Sequence, residues 1–338
     1  MRILVTGAAG FVGSHVCRAL LKRFDEVVGF DDFNDYYSPA IKRANVEELK
    51  KLGKFTEFEG DLRKTEDVEK VFGDSGFDVV CHLAARAGVR PSLENPLLYV
   101  DTNVRGTTNI LEAMRKRIVP KKSNTTIKGK TRMLKSGVPN TKIVFASSSS
   151  VYGGNTWVPF SEKDPVENPW SPYAVTKRAC ELMLAAYHHL YAIESYALRF
   201  FTVYGPGQRP DLAIAKFVDL IERGEEVPFY GDGSNGRDYT FIDDIVMGVV
   251  AAIDKVKGCE IINLGGEKPV TLTEMVGVIE AVLGKKAKLK KLPMQPGDVP
   301  QTYADLGKAR KLLGFTPKTP FSEGVKRYVA WWRAQKKA

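Results

Sequence analysis

The sequence is poor in the features that mark a secreted, membrane-spanning or metal-binding protein. Its four cysteines, Cys17, Cys81, Cys180 and Cys259, lie too far apart to read as a zinc site or a disulfide framework. Reduced thiols in a cytoplasmic protein are the simplest expectation. Histidine is equally scarce: His82 stands alone and His188-His189 fall on one predicted helix, so packing or surface roles are expected and no metal set is read. No apolar run approaches the ~18 residues that a membrane span requires. No basic segment followed by an apolar stretch marks a secretory leader. Acidic residues are missing from one stretch, for between Arg115 and Lys142 there are ten Lys or Arg and no Asp or Glu. The net charge of +10 is thus confined to that stretch, and the rest of the chain is balanced. Charge held in one segment reads as a solvated basic loop, not as a face that binds nucleic acid or a membrane surface.

What is present is a long, ordinary globular sequence of 338 residues, 43% of them hydrophobic. That suffices for one large domain, or for a large and a small domain sharing a cleft. Apolar, β-prone segments at Arg2–Thr6, Glu26–Asp31, Lys54–Phe58, Asp78–Leu83, Lys142–Ser147 and Ser195–Phe201 predict strands. Between them, Ser14–Leu21, a segment containing Val68–Phe72, Asn103–Arg117 and Pro172–Leu190 carry helical patterns. Strands apolar on both faces that alternate with helices predict a parallel sheet covered on both sides, a doubly wound, Rossmann-type α/β fold. After about residue 200 the pattern breaks into short elements separated by glycine turns at Gly205-Pro206-Gly207, Gly231-Asp232-Gly233 and Gly265-Gly266. A smaller C-terminal substrate-binding lobe over the carboxyl ends of the strands is expected there. The expected division is residues 1–200 for the dinucleotide domain and 201–338 for the lobe, with the chain crossing between them. The basic insertion, about residues 118–141, reads as a long surface loop before the fifth strand.

Two constellations carry chemistry. The first is Gly7-Ala8-Ala9-Gly10-Phe11-Val12-Gly13, placed between a strand and a helix. Gly7 permits a tight turn, Gly10 a close approach of backbone to a pyrophosphate, and Gly13 close packing of helix on strand. The helix N-terminus then offers unpaired amides and a positive dipole end to the phosphates. Asp31, 18 residues past Gly13, ends the second strand. A carboxylate there accepts from the ribose hydroxyls and repels a 2′-phosphate, which favours NAD over NADP. The second is Tyr173-Ala174-Val175-Thr176-Lys177, a phenol and an ammonium on one helix face. Such a pair alone is common. Here it follows Ser148 by 25 residues, and Ser148 comes directly after the fifth strand, so the three converge at the carboxyl end of the sheet. The Lys177 ammonium and a cationic nicotinamide both favour the phenolate, so the pKa of Tyr173 is expected to fall from ~10 toward working pH and make it a usable base.

With Asp61-Leu62 after the third strand and Leu83-Ala84-Ala85 after the fourth, the G-x-x-G-x-x-G spacing resembles the extended short-chain dehydrogenases/reductases. The resemblance implies a bound NAD held also by Asp32, Asn34, Asp61, Leu62, Leu83, Ala84, Ala85, Asn103, Ser147, Phe201 and Val203. It also implies a homodimer through the helices at Asn103–Arg117 and Pro172–Leu190. Within Ser147-Ser148-Ser149-Ser150-Val151-Tyr152-Gly153, related nucleotide-sugar dehydratases carry Asp-Glu where this chain has Ser149-Ser150, and decarboxylases carry Glu in place of Ser150. Without that acid, oxidation at C4 and return of hydride to the other face, a 4-epimerisation, is the expected reaction. Phe33-Asn34-Asp35-Tyr36-Tyr37, Ile41-Lys42-Arg43-Ala44 and Arg199 to Asp211 resemble nucleotide-sugar 4-epimerases, UDP-glucuronate 4-epimerases in particular. That resemblance implies a UDP-sugar bound by Arg90, Ser148, Ser149, Ser150, Thr202, Arg209, Arg237 and Asp298. Arg209 suits a carboxylate at C5, which it could hold by two charge-assisted hydrogen bonds. Oxidising C4 of such a sugar makes a β-keto acid prone to lose CO₂, so the carboxylate must be restrained. Gln295 stands where some galactose 4-epimerases have a phosphate-binding Arg. A UDP-glucose or UDP-N-acetylglucosamine 4-epimerase uses the same triad and remains an alternative. So does a redox-silent NAD(H)-sensing protein, although such proteins typically lose the Tyr or the Lys.

Overall fold

The computed structural model of the chain describes residues 1–73, 76–118, 141–293 and 299–336. The expected basic surface loop therefore lies outside the described residues, as does Asp298. The first half runs β1 (Arg2–Thr6), α1 (Phe11–Lys22), β2 (Glu26–Asp31), α2 (Pro39–Lys50), β3 (Phe55–Glu59), α3 (Thr65–Phe72) and β4 (Val79–His82). Helices α4 (Val89–Glu94) and α5 (Pro96–Tyr99) follow, then a π-helical turn at Val100–Arg105 that continues as α6 (Gly106–Ile118). Next come β5 (Lys142–Ser148), a 3₁₀ turn at Ser149–Tyr152, α7 (Pro172–Tyr191), β6 (Ser195–Phe200) and β7 (Thr202–Tyr204). The remainder is α8 (Ala213–Arg223), β8 (Glu226–Tyr230), β9 (Gly236–Phe241), α9 (Ile242–Lys255) and β10 (Cys259–Leu264), followed by β11 (Pro269–Thr271), α10 (Leu272–Leu283), β12 (Lys288–Leu292), α11 (Gly307–Leu313) and α12 (Phe321–Gln335).

Seven strands form one sheet in the order β10-β6-β5-β4-β1-β2-β3, all pairs parallel. The strand order reverses between β1 and β4, and a crevice at that reversal is where such sheets bind ligands. The alternation of side chains along β1 shows how the core is divided. Ile3 and Val5 point to one face, where α1, α9 and α11 pack. Leu4 points to the other, beneath α3, α6 and α7. Strands buried on both faces read as continuous apolar runs, which is why five of the six expected strands agree with the structure to within a residue at each end. The sixth, β3, matches as closely but lies at the sheet edge and is half exposed. The seventh strand, β10, returns from the second half of the chain to pair with β6. A third apolar cluster joins α8, α10 and α12 to β8 and β9. No helix among the described residues is long and apolar enough to cross a membrane.

One buried ion pair ties α7 to this sheet. Arg199 of β6 donates from Nε and Nη2 to the two carboxylate oxygens of Glu181 at 2.8 and 2.9 Å. Ser147 Oγ of β5 donates to the same carboxylate at 2.7 Å, and the Arg199 guanidinium lies 4.6 Å from the centroid of the Tyr152 ring. Both side chains are at most 1% exposed. Removing one partner strands the other charge out of reach of water. Glu181→Ala is therefore expected to lower stability by about 3–5 kcal/mol, read as a fall in the midpoint of chemical denaturation. An unchanged midpoint would mean that water replaces the carboxylate.

Candidate active site

The crevice at the strand reversal is a cavity of about 510 Å³, and the glycine turn forms one end of it. Gly7 has φ +70°, and a Cβ there would sit 2.9 Å from the backbone of Ala84. A Cβ on Gly13 would come within 1.9 Å of the Gly7 carbonyl oxygen, so α1 could not start so close to β1 with any side chain at that position. Helix α1 begins at Phe11, three residues earlier than the apolar pattern predicts, because Gly10 takes the N-cap position directly after the turn. No side chain caps it and its first turn holds no acid, so its amide end is left for an anion.

Asp31, Asp32, Asn34, Asp61 and Leu62 line the same cavity at the ends of β2 and β3. Asp31 is buried and accepts from the amides of Ala9 at 3.1 Å and Phe33 at 3.0 Å. Burial raises its pKa, and those amides oppose the rise. Asp32 accepts from the Asn34 amide at 3.1 Å, and Asp61 is paired with Arg63. Leu83, Ala84 and Ala85 line the middle of the cavity, with Phe11, Val12, Phe201 and Val203 nearby.

Asn103 is placed differently from its expected role. It is buried, and both ends of its amide hold the backbone of Arg86, at 2.8 and 3.0 Å, while Nδ2 also donates to Thr176 at 3.0 Å. Thr102, not Asn103, reaches the cavity wall. Both lie in the π-helical turn, whose wider winding shifts which residues face inward. Asn103 thus braces the segment after β4 against α7.

At the far end, Ser148, Tyr173 and Lys177 meet as their spacing predicts, and Ser147 lines the same wall. The buried Tyr173 phenol is raised in pKa by desolvation, while a hydrogen bond with Ser148 and the positive charge of Arg209 pull it down. The expectation joins Lys177 with a cationic nicotinamide; of the chain's own groups, Ser148 and Arg209 lower the phenol most. The Lys177 ammonium donates to the Ala146 carbonyl at 2.6 Å and lies 4.8 Å from the Phe145 ring centroid. Burial lowers it from 10.5 to about 8.

Ser149, Ser150, Thr202 and Arg209 also line the cavity. Arg209 binds Asp211 through Nε and Nη2, both at 2.9 Å. Ser149, Ser150 and Thr202 are shared with an adjoining pocket of about 130 Å³ that Arg237 also lines. Arg90, on α4, lies 5.5 Å from the Tyr230 ring centroid and is not on the wall of either cavity. The only carboxylates among the described residues of the larger cavity are Asp31, Asp32 and Asp61, all at the glycine-turn end. His82 bridges Thr6 at 2.7 Å and Thr107 at 3.0 Å, and burial lowers its pKa to about 3. It is a neutral packing residue, as its isolation in the sequence predicts.

Sequence reasoning gave no site role to Tyr36, Tyr37, Lys42 or Arg86, which also line the cavity. The first three fall in the segments that resemble nucleotide-sugar 4-epimerases, but only tertiary packing shows that these residues turn inward.

The Lys177 shift has a consequence for stability. The folded chain binds fewer protons at this site than the unfolded chain between about pH 8 and 10.5. Stability therefore rises with pH across that window, and the burial penalty is fully present below it. Without cofactor, Lys177→Met is expected to be more stable than the parent at pH 7 and to lose that advantage by pH 10. Denaturation midpoints of both proteins at the two pH values check this.

Comparison with known proteins agrees with this geometry. The sequence profile of the GDP-mannose 4,6 dehydratase family matches residues 4–328. The chain is 42% identical over 329 residues to a UDP-glucuronate 4-epimerase of Thermodesulfobacterium geofontis, covering 97% of this chain and 95% of that protein. Among solved structures, the UDP-glucuronic acid 4-epimerase from Bacillus cereus, in complex with UDP-glucuronic acid and NAD, superposes with a TM-score of 0.86 at 35% identity, covering 99% of this chain and 100% of that one. A UDP-glucose 4-epimerase from Thermotoga maritima, with UDP-glucose, superposes at 0.85 with 30% identity, covering 99% and 100%. The chain belongs to the GDP-mannose 4,6 dehydratase family of extended short-chain dehydrogenases/reductases, among its nucleotide-sugar 4-epimerases.

Proposed function

We propose that the chain interconverts UDP-glucuronate and UDP-galacturonate by NAD-dependent epimerisation at C4. The observation that carries this reading is the presence of Arg209 in one cavity with Tyr173, close enough for its charge to act on the phenol. A uronate carboxylate one carbon from the reacting C4 needs a cation at that position, and a neutral hexose does not.

The residues fit a dinucleotide. Gly7 and Gly13 form a cradle that a Cβ would fill, the amide end of α1 is uncapped, and Asp31 stands at the end of β2 for ribose hydroxyls. When bound, NAD supplies the acceptor and donor of the C4 hydride. Tyr173 takes the proton from the C4 hydroxyl and returns it after the sugar has turned over, with Ser148 hydrogen-bonded to the same oxygen. Lys177, bonded to the Ala146 carbonyl, has further donors for the nicotinamide ribose. The low-dielectric surroundings that raise the Tyr173 pKa also strengthen every charge brought into the site. A cofactor cation and Arg209 together favour the phenolate when the complex forms. Thr202, Ser149, Ser150 and Arg209 restrain the carboxylate, and Arg237 faces the diphosphate from the adjoining pocket. In this reading the seven-stranded sheet, mainly residues 1–200, holds the cofactor, and residues 201–338 supply most of the sugar site, with β10 crossing back.

A homodimer through α6 and α7 completes the proposal. Support comes from exposed apolar side chains that a partner would cover, Val175 and Leu182 on α7 with Leu97 and Val100 just ahead of α6. The four free thiols and a nucleotide-sugar substrate suit the cytoplasm.

Purified protein incubated with UDP-glucuronate and no added coenzyme is expected to yield UDP-galacturonate, followed by NMR. Turnover of UDP-glucose or UDP-N-acetylglucosamine alone would overturn the uronate assignment. Tyr173→Phe is expected to lower kcat by about 10²–10⁴-fold with NAD content unchanged, which separates a lost base from a lost cofactor.

A further inference from the structure

We propose that Tyr36 and Asp211 are positioning residues that clamp the Arg209 guanidinium from two directions, and that this clamp decides whether the oxidised sugar keeps its carboxylate. The proposal rests on the uronate reading of Arg209 given above.

The two contacts restrict different motions. Asp211 accepts from Nε and Nη2, both at 2.9 Å, a paired contact that sets the rotation of the guanidinium within its own plane. The Tyr36 ring lies with its centroid 5.0 Å from Arg209 Cζ, a cation–π contact that limits tilting of that plane. Tyr36 is itself fixed at both ends. Its amide donates to Asn34 Oδ1 at 3.1 Å and its hydroxyl to the Ala87 carbonyl at 2.7 Å. Tyr99 donates to that carbonyl as well, at 3.0 Å, and Tyr99 packs edge-on against Tyr173 with ring centroids 6.1 Å apart. The orientation of Arg209 is thereby tied, through the segment after β2, to the same backbone that borders the catalytic tyrosine. Asp211 uses one edge of the guanidinium, so the Nη1 side is the one left to meet a substrate carboxylate.

Orientation matters here because of the chemistry of the oxidised sugar. Once the C4 hydrogen has gone as hydride to the nicotinamide dinucleotide, the sugar is a β-keto acid. If the C5–C6 bond lines up with the C4 carbonyl π-system, that bond breaks and its electron pair passes into C4–O as an enolate. Carbon dioxide leaves, and C5 then takes up a proton. A guanidinium free to swing lets its bound carboxylate reach that alignment. One held in place keeps the bond out of line.

The test compares Tyr36→Leu, Tyr36→Phe, Asp211→Asn and Arg209→Ala with the parent, each as purified holoenzyme on UDP-glucuronate. The first measurement is the ratio of decarboxylated product, the UDP-4-ketopentose together with the UDP-pentose formed when the hydride returns to its C4, to UDP-galacturonate by NMR. The second is the affinity for UDP-glucuronate against UDP-glucose by calorimetry. NAD content and thermal midpoint accompany both as controls on folding. Tyr36→Leu and Asp211→Asn are expected to raise the pentose share by between about 3-fold and 10²-fold, to lower kcat for epimerisation more than they raise KM, and to narrow the preference for the uronate. Tyr36→Phe keeps the ring and is expected to restore a ratio near the parent's. Asp211 is half exposed, so its substitution tests the clamp even if Tyr36→Leu does not fold. Parent-like ratios in Tyr36→Leu and Asp211→Asn alongside a shifted Arg209→Ala would overturn the clamp and leave the Arg209 reading standing. A shift in only one of the two would overturn its two-sided form. An unshifted Arg209→Ala would overturn the uronate reading itself.

Discussion

The contact between Glu181 and Arg199 sets how α7 lies against the sheet, and the reacting groups inherit their positions from it. Glu181 is one turn beyond Lys177 and two turns beyond Tyr173, on the same side of the helix. Its carboxylate accepts from β6 through Arg199 and from β5 through Ser147, and the residue after Ser147 is the Ser148 that meets the Tyr173 phenol. One carboxylate thus aligns the helix bearing the phenol and the lysine with the strand bearing the serine. A buried pair of this kind is weak evidence for stability in itself, since packed apolar residues can serve as well. Its value lies in direction. An apolar contact would tolerate a slide of α7 along the sheet, whereas a forked guanidinium on a carboxylate does not.

The environment so created pushes Tyr173 and Lys177 toward their uncharged forms, the phenol upward and the ammonium downward. This is the opposite of a resting phenolate–ammonium pair. The catalytic protonation state belongs to the complex, because the Ser148 hydrogen bond and the Arg209 charge offset only part of the desolvation of the phenol, and further positive charge beside it favours the phenolate. Burial therefore sets the reactivity of the site in two stages. Burial favours the protonated phenol, and the ligands that make a base useful also make the base. The stability lost in burying Lys177 is the counterpart of that arrangement.

Much of this was legible in the amino-acid sequence because the relevant signals are local. The strands are runs buried on both faces, the glycine turn is set by backbone geometry within a few residues, and Tyr173 and Lys177 follow from helical periodicity. What could not be read depends on contacts between distant segments. The pairing of β10 with β6 lacks any local signature of partner. The π-helical turn that brings Thr102 rather than Asn103 to the wall is one extra residue of winding inside an ordinary helical pattern. Tyr36 and Lys42 lie in segments recognisable by resemblance, yet nothing in their spacing shows that they face the cavity. Glu181 looks like any polar residue on a helix until β6 brings Arg199 beneath it.

The family relationship also shows how little of the scaffold determines the reaction. The profile that spans the chain is that of a dehydratase family, and a dehydratase must place a carboxyl group beside the sugar to drive elimination. In this chain the corresponding positions are Ser149 and Ser150, which line both the main cavity and the adjoining pocket. The carboxylates among the described lining residues, Asp31, Asp32 and Asp61, stand after β2 and β3, not after β5 where Ser149 and Ser150 lie. Serine hydroxyls in that position can bind an oxygen but are far weaker acids than a carboxyl group, so no carboxyl acid among the described lining residues stands there to assist elimination. With that route closed, the fate of a 4-keto uronate turns on whether its carboxylate is held still. In the proposed reading the cavity answers with an arginine held between an aromatic face and a carboxylate, and the same fold that supports elimination elsewhere becomes a device for oxidising and restoring one carbon.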